Sequence, residues 1–160
     1  MLLPQPWRKL LLSVHVGTTV SVLGADLALL ILAVSGLLGS EPRSVYPAAQ
    51  LVGANLVAPL AVGSLGTGLL LGWLTPWGLL RYWWVTIKLV ITAVLTGAVL
   101  FVLLPSLGRV ANAAAAAEPF TDSQRVPLVV APALASTLLV LALALAVFKP
   151  GWRLRSSPAA

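Results

Sequence analysis

Residues 10–38 read LLLSVHVGTTVSVLGADLALLILAVSGLL, an apolar run interrupted only by glycines, small hydroxyl residues, one histidine and one carboxylate. A helix needs about 20 mostly apolar residues to cross the hydrocarbon of a bilayer, and this run exceeds that. Three more stretches qualify: residues 46–74, 83–104 and 126–148. The pattern predicts an all-α fold, a four-transmembrane-helix bundle in one domain over residues 1–155, with a frayed tail at 156–160. Short loops make neighbouring helices antiparallel. No segment shows the period-two alternation of a membrane β-barrel.

Composition agrees with this reading. Apolar residues make up 59% of the 160, charged residues 9%, and the mean hydropathy is +1.02. A soluble domain carries about 25% charged residues, so this chain has too few to cover a water-facing surface. A disordered chain is excluded for the same reason. The net charge of +6 suggests nucleic acid until the cations are located, because most flank the apolar runs. No nucleic-acid partner is expected; the partners expected are the lipid bilayer and a second copy or another membrane protein. The chain has no cysteine, so disulfides, thiolate metal sites and cysteine nucleophiles are all excluded.

Charge also predicts orientation. Arg8, Lys9, Arg81, Lys88, Lys149, Arg153 and Arg155 fall on one side of the four spans, whereas Arg43, Arg109 and Arg125 fall on the other with Glu41, Glu118 and Asp122. The positive-inside rule puts both termini in the cytoplasm of a plasma-membrane protein. Trp7, Trp73, Trp77, Trp83, Trp84 and Trp152 share the cation-rich side, as indoles seeking the headgroup zone do. Arg8 and Lys9 ahead of an apolar run resemble a signal peptide. That run is longer than such a peptide needs and contains Asp26, so it is read as a retained helix.

The connections are expected to be short. Residues 39–44, with Pro42, read as a tight outer turn, and residues 72–78 as an inner connection stopped by Pro76 and turned by Gly78. The outer segment 105–125 contains five alanines, Ala113 to Ala117, and predicts a short surface helix ended by Glu118-Pro119. Pro59 is expected to kink the second helix, with Asn55 beside the carbonyl it frees.

Ionisable residues inside a span mark function more often than surface ones do. His15, Asp26 and Lys88 qualify. His15 and Asp26 are eleven residues apart, close to three turns, so they share a face about 16 Å apart in height. Thr18, Thr19 and Val22 lie between them. Depth places Lys88 in one layer with His15, and places Gln50 and Asn55 of the second helix beside Asp26. The candidate polar site is therefore His15, Thr19, Asp26, Gln50, Asn55 and Lys88. Each has a plainer reading. Lys88 snorkels to the interface, His15 is a helix-to-helix hydrogen-bonding residue, and Asp26 is interhelix glue. The pair Ser64 and Gly68, with Gly17 and Ser21 on the first helix, permits close helix approach, and internal packing is preferred over a dimer face.

Catalytic constellations are missing from the sequence: no nucleophile elbow, no HExxH, no phosphate loop. No enzyme activity, metal site or cofactor is expected. Leu12-Ser13-Val14-His15-Val16, Gly66-Thr67-Gly68-Leu69, and Thr75-Pro76-Trp77-Gly78-Leu79-Leu80-Arg81-Tyr82-Trp83-Trp84 leading to Lys88-Leu89 resemble uncharacterised actinobacterial four-helix membrane proteins. These are DUF2269-like and, more distantly, similar to copper-resistance D-like membrane domains. The resemblance covers roughly residues 7–104. It implies a four-helix bundle in the plasma membrane and no established activity. The chain departs from a copper site in having one methionine, Met1, and one histidine, His15.

Three functions are carried forward. The first is a structural or accessory membrane component without a catalytic site. The second is a dimeric small-solute or proton-linked transporter using Asp26 and His15. The third is a haem-, quinone- or copper-associated redox component using His15.

Overall fold

The computed structural model describes residues 3–74, 83–119 and 121–148. All regular structure in these residues is helical. Four helices are long and apolar enough to cross a membrane: α1 (Gln5–Leu37), α2 (Pro42–Leu74), α3 (Trp83–Ala115) and α4 (Asp122–Phe148). Each packs on the next in the chain, and α4 closes the ring against α1. At 33 residues, each of the first three is about 50 Å long at 1.5 Å per residue. That exceeds a hydrocarbon core of about 30 Å, so these helices tilt or project beyond it.

The helices are longer than the apolar runs alone predict. α1 begins at Gln5, with Pro6 in its first turn, where a missing N–H costs nothing. The outer turn is shorter than residues 39–44, because Pro42 starts α2 instead of interrupting the chain. The expected surface helix after Pro105 is helical through Ala115 and ends before Glu118-Pro119, but it is a continuation of α3. It does not lie on the surface. Leu107, Val110, Ala111 and Ala114 form one apolar face at helical spacing, and that face is buried against the start of α2. α4 begins at Asp122, where Thr121 accepts the N–H of Gln124 on its carbonyl and donates its own N–H to the Gln124 side chain.

Two helices carry the same irregularity. In α2 a π turn spans Gly53–Val57 and Pro59 follows it by two residues. In α3 a π turn spans Val99–Leu103 and Pro105 follows by two. The Ala58 N–H bonds the Gly53 carbonyl five residues back, and the Leu104 N–H bonds that of Val99. Proline has no N–H for the carbonyl four residues earlier, and one widened turn takes up the mismatch. The Asn55 side chain donates to the Leu51 carbonyl at 3.0 Å.

The apolar core is concentrated toward the end holding the α1–α2 and α3–α4 connections. There Leu29, Tyr46, Val57, Leu103, Leu107 and Leu128 pack as one cluster. A second, smaller cluster of Val22, Ala61 and Leu139 lies nearer the other end. The polar side chains and the larger cavity occupy the half toward the start of α1.

Candidate functional site

Spacing explains which face of α1 turns inward. His15, Thr19, Val22, Asp26, Leu29, Ala33 and Gly36 recur at alternating steps of four and three, a stripe along one side of a helix. All from Val22 onward are buried, and His15 and Thr19 are half-buried. The predicted shared face of His15 and Asp26 is the interior face, and the two have separate partners.

His15 meets α2. Its Nδ1 lies 2.9 Å from Thr67 Oγ1, and that hydroxyl lies 2.7 Å from the Gly63 carbonyl oxygen. A hydroxyl has one proton to give. With that proton on the Gly63 carbonyl, His15 Nδ1–H donates to Thr67, which leaves Nε2 as the other ring nitrogen. One turn along, Thr19 donates to the His15 carbonyl at 2.7 Å and lies 2.8 Å from Ser64 Oγ, so Ser64 donates to Thr19. Gly68 is glycine for a reason of space, since a Cβ there would sit 3.1 Å from His15 Cε1. The Ser64–Gly68 pair thus packs inside the bundle, whereas Gly17 and Ser21 face outward.

Asp26 meets α4. Ser136 donates its hydroxyl to Asp26 Oδ2 at 2.6 Å, and the carboxylate residue is 1% exposed. That length is typical of a charge-assisted O–H···O⁻ bond. The expected partners are not there. Asn55 is exposed, on the opposite side of α2 from its buried residues Gly53 and Val57. Gln50 lies against α3, with its Nε2 3.5 Å from where a Cβ on Gly108 would stand. The π turn sets the phase of α2 so that small apolar residues, not amides, face Asp26 at this level. Beside Asp26 is a space of about 20 Å³ lined by Ser64, Thr92 and Thr96 among apolar side chains. It is large enough for one water by the usual criterion of roughly 10–15 Å³.

Lys88 is half-buried. It lies along the inner wall with its Nζ 5.5 Å from the centroid of the Trp84 ring, a cation–π distance. Trp84 is 8% exposed and lies beneath the ammonium. Trp7 and Trp73 are exposed, Trp83 is half-buried, and Trp77 and Trp152 lie outside the described residues. Lys88, His15, Trp84, Ser64 and Thr92 line a cavity of about 110 Å³, walled otherwise by Leu12, Leu65, Leu71, Val85 and Leu89 with Gly68 and Gly72. The predicted common layer of His15 and Lys88 is thus a shared cavity.

Ser136, Thr67 and Thr96 were missed as partners from the sequence. Two signals were available. Lys88, Thr92 and Thr96 are spaced four apart, on one face of α3, and Ser136-Thr137 are the only hydroxyls in the apolar interior of α4. Lys88, His15, Thr92, Ser64, Thr96 and Asp26 line the two cavities as a polar interior to an apolar bundle, and Ser64 and Thr92 line both.

No protein-family model, curated protein or solved structure matches the chain.

Proposed function

We propose that the protein is a non-enzymatic, multi-pass component of the plasma membrane, both termini cytoplasmic, that conducts protons or a proton-coupled solute through its bundle interior. The single observation behind this is the burial of Asp26 inside the bundle, bonded to Ser136 beside a water-sized space, and not facing lipid. An ionisable group at that depth is costly and marks a pathway by default. Among the described residues no other titratable side chain lines that space, so a proton taken up there would be taken up by Asp26. The shared lining of Ser64 and Thr92 supports a route from Asp26 to the His15 end. One four-helix chain is small for transport, so the working unit is read as a dimer. Membership of the DUF2269-like family remains part of this proposal, resting on the quoted motifs.

Proteoliposomes holding a pH-sensitive dye test it. Under an imposed potassium diffusion potential, wild-type protein should carry protons inward, and Asp26→Asn and Asp26→Leu should both abolish that flux while remaining helical and monodisperse. Wild-type protein that carries none, or Asp26→Asn that carries as much as wild type, overturns the proposal and leaves a structural or accessory component.

A further inference from the structure

We infer that the cavity shared by His15 and Lys88 is a binding site for a short aliphatic monocarboxylic acid. The inference stands apart from the Asp26 route, since a site can fill whether or not protons cross.

The lining has the two halves such a ligand needs. Lys88 and His15 bring nitrogen-bearing side chains, the hydroxyl protons of Ser64 and Thr92 being on Thr19 and on the Lys88 carbonyl, and no carboxylate is among the described lining residues. In surroundings this apolar, an ammonium and an imidazole lining one cavity favour an anion, because charges there are poorly screened. Leu12, Leu65, Val85 and Leu89, which also line the cavity, offer apolar surface to an alkyl chain. Lys88 keeps its place over Trp84 and adds the anion to it.

Size restricts the ligand further. An apolar cavity of about 150 Å³ accommodates benzene, with six heavy atoms. At about 110 Å³, this cavity accommodates about four to five, which is acetate or propionate. A diacid would bring a second charge among the leucine side chains.

The His15 tautomer fixes how the ligand is held. With the Thr67 proton on the Gly63 carbonyl, Nδ1–H donates to Thr67 and Nε2 carries the lone pair. The acid R–COOH gives its proton to Nε2, and the imidazolium so formed holds R–COO⁻ together with the Lys88 ammonium. No bond other than the O–H is broken, and the proton stays in the site. Facing His15, α2 contributes Thr67 and Gly68, and α3 contributes Lys88 to the same cavity.

Equilibrium dialysis of radiolabelled propionate against the full chain in zwitterionic nanodiscs, with empty nanodiscs as blank, tests the inference. Saturable binding of one propionate per chain is expected, with Lys88→Gln weakening it at least about tenfold, the loss of one charged hydrogen bond. Lys88→Arg should retain it. Should Lys88→Gln fail to fold, wild-type protein challenged with neutral propionamide decides: competition as good as that of unlabelled propionate overturns anion recognition. No saturable binding above empty nanodiscs overturns the site. Competition by dodecanoate but not by acetate assigns the cavity to lipid and overturns the short-chain reading.

Discussion

At Asp26 the energetic question is what the carboxylate does besides accept one hydroxyl. Interhelix hydrogen bonds in membranes are worth about 0.6 kcal/mol on average and at most about 1.7. Ser136→Ala should therefore lower stability by an amount in that range, and Asp26→Leu by a similar amount. Asp26→Asn should be close to neutral, because the amide keeps the shape and still accepts from Ser136 at a position bonded at 2.6 Å. Steric-trap unfolding in bicelles would order the three, and a cost for Asp26→Asn as large as that for Asp26→Leu would contradict it. His15 makes a different kind of prediction. Imidazole ¹⁵N shifts should report the Nδ1–H tautomer, since Thr67 has its proton on Gly63. Gly68→Ala, whose Cβ would stand 3.1 Å from His15 Cε1, should push the ring from Thr67 and mix the tautomers.

Helix ends offer two further tests. α1 and α3 close with the same arrangement of hydrogen bonds: Ser40 N–H to the Ser35 carbonyl after α1, Glu118 N–H to the Ala113 carbonyl after α3. In each, the residue beyond the cap is left-handed, Gly39 at φ 99° and Ala117 at φ 58°. Glycine takes that conformation freely, whereas an L-residue is strained by roughly 1–2 kcal/mol. Ala117→Gly should thus raise stability by up to about 1 kcal/mol after the entropy glycine adds to the unfolded chain. Thermal unfolding by circular dichroism would show an unchanged or lower midpoint if that is wrong. Near the same end of the bundle, Gly36 faces the Tyr46 ring, and a Cβ would lie 2.9 Å from its Cζ and Oη. Tyr46 is among the most buried residues, so the ring has little room to withdraw. Gly36→Ala should cost about 1–3 kcal/mol, the usual range for overpacking. Tyr46→Leu in the same chain should recover part of it.

The whole molecule has two unlike halves. Toward the two connections α1–α2 and α3–α4 it is filled by Leu29, Tyr46, Val57 and the Leu107–Ala114 face. Toward the start of α1 it is hollow and polar, and Arg8, Lys9 and Lys88 lie in that half. Topology is the prediction at this scale. The chain has no cysteine, so Ser123→Cys introduces one reactive thiol at the exposed start of α4. A membrane-impermeant maleimide should label it in intact cells. Labelling only after the cytoplasm is opened would invert the orientation, and would place the His15 cavity toward the outside.

Apolar run length alone determined that four helices are long and apolar enough to cross a membrane, where only intrasegment hydrogen bonds satisfy a backbone. The 3.6-residue period alone put His15, Thr19 and Asp26 on one face, and residue height put Lys88 level with His15. Tertiary structure decided the partners. Gln50 and Asn55 are at a depth compatible with Asp26, yet depth does not fix rotation, and the π turn at Gly53–Val57 sets a phase that turns Asn55 outward. Ser136 is 110 residues from Asp26, and only closure of α4 against α1 brings them together. The Leu104–Ala115 extension was helical by composition but buried by packing, since a face of leucine, valine and alanine is covered only where α2 supplies a neighbour. Sequence fixes each helix and the residues along its stripe; which stripe meets which is a property of the bundle, because rotation and register are set by side chains on other helices.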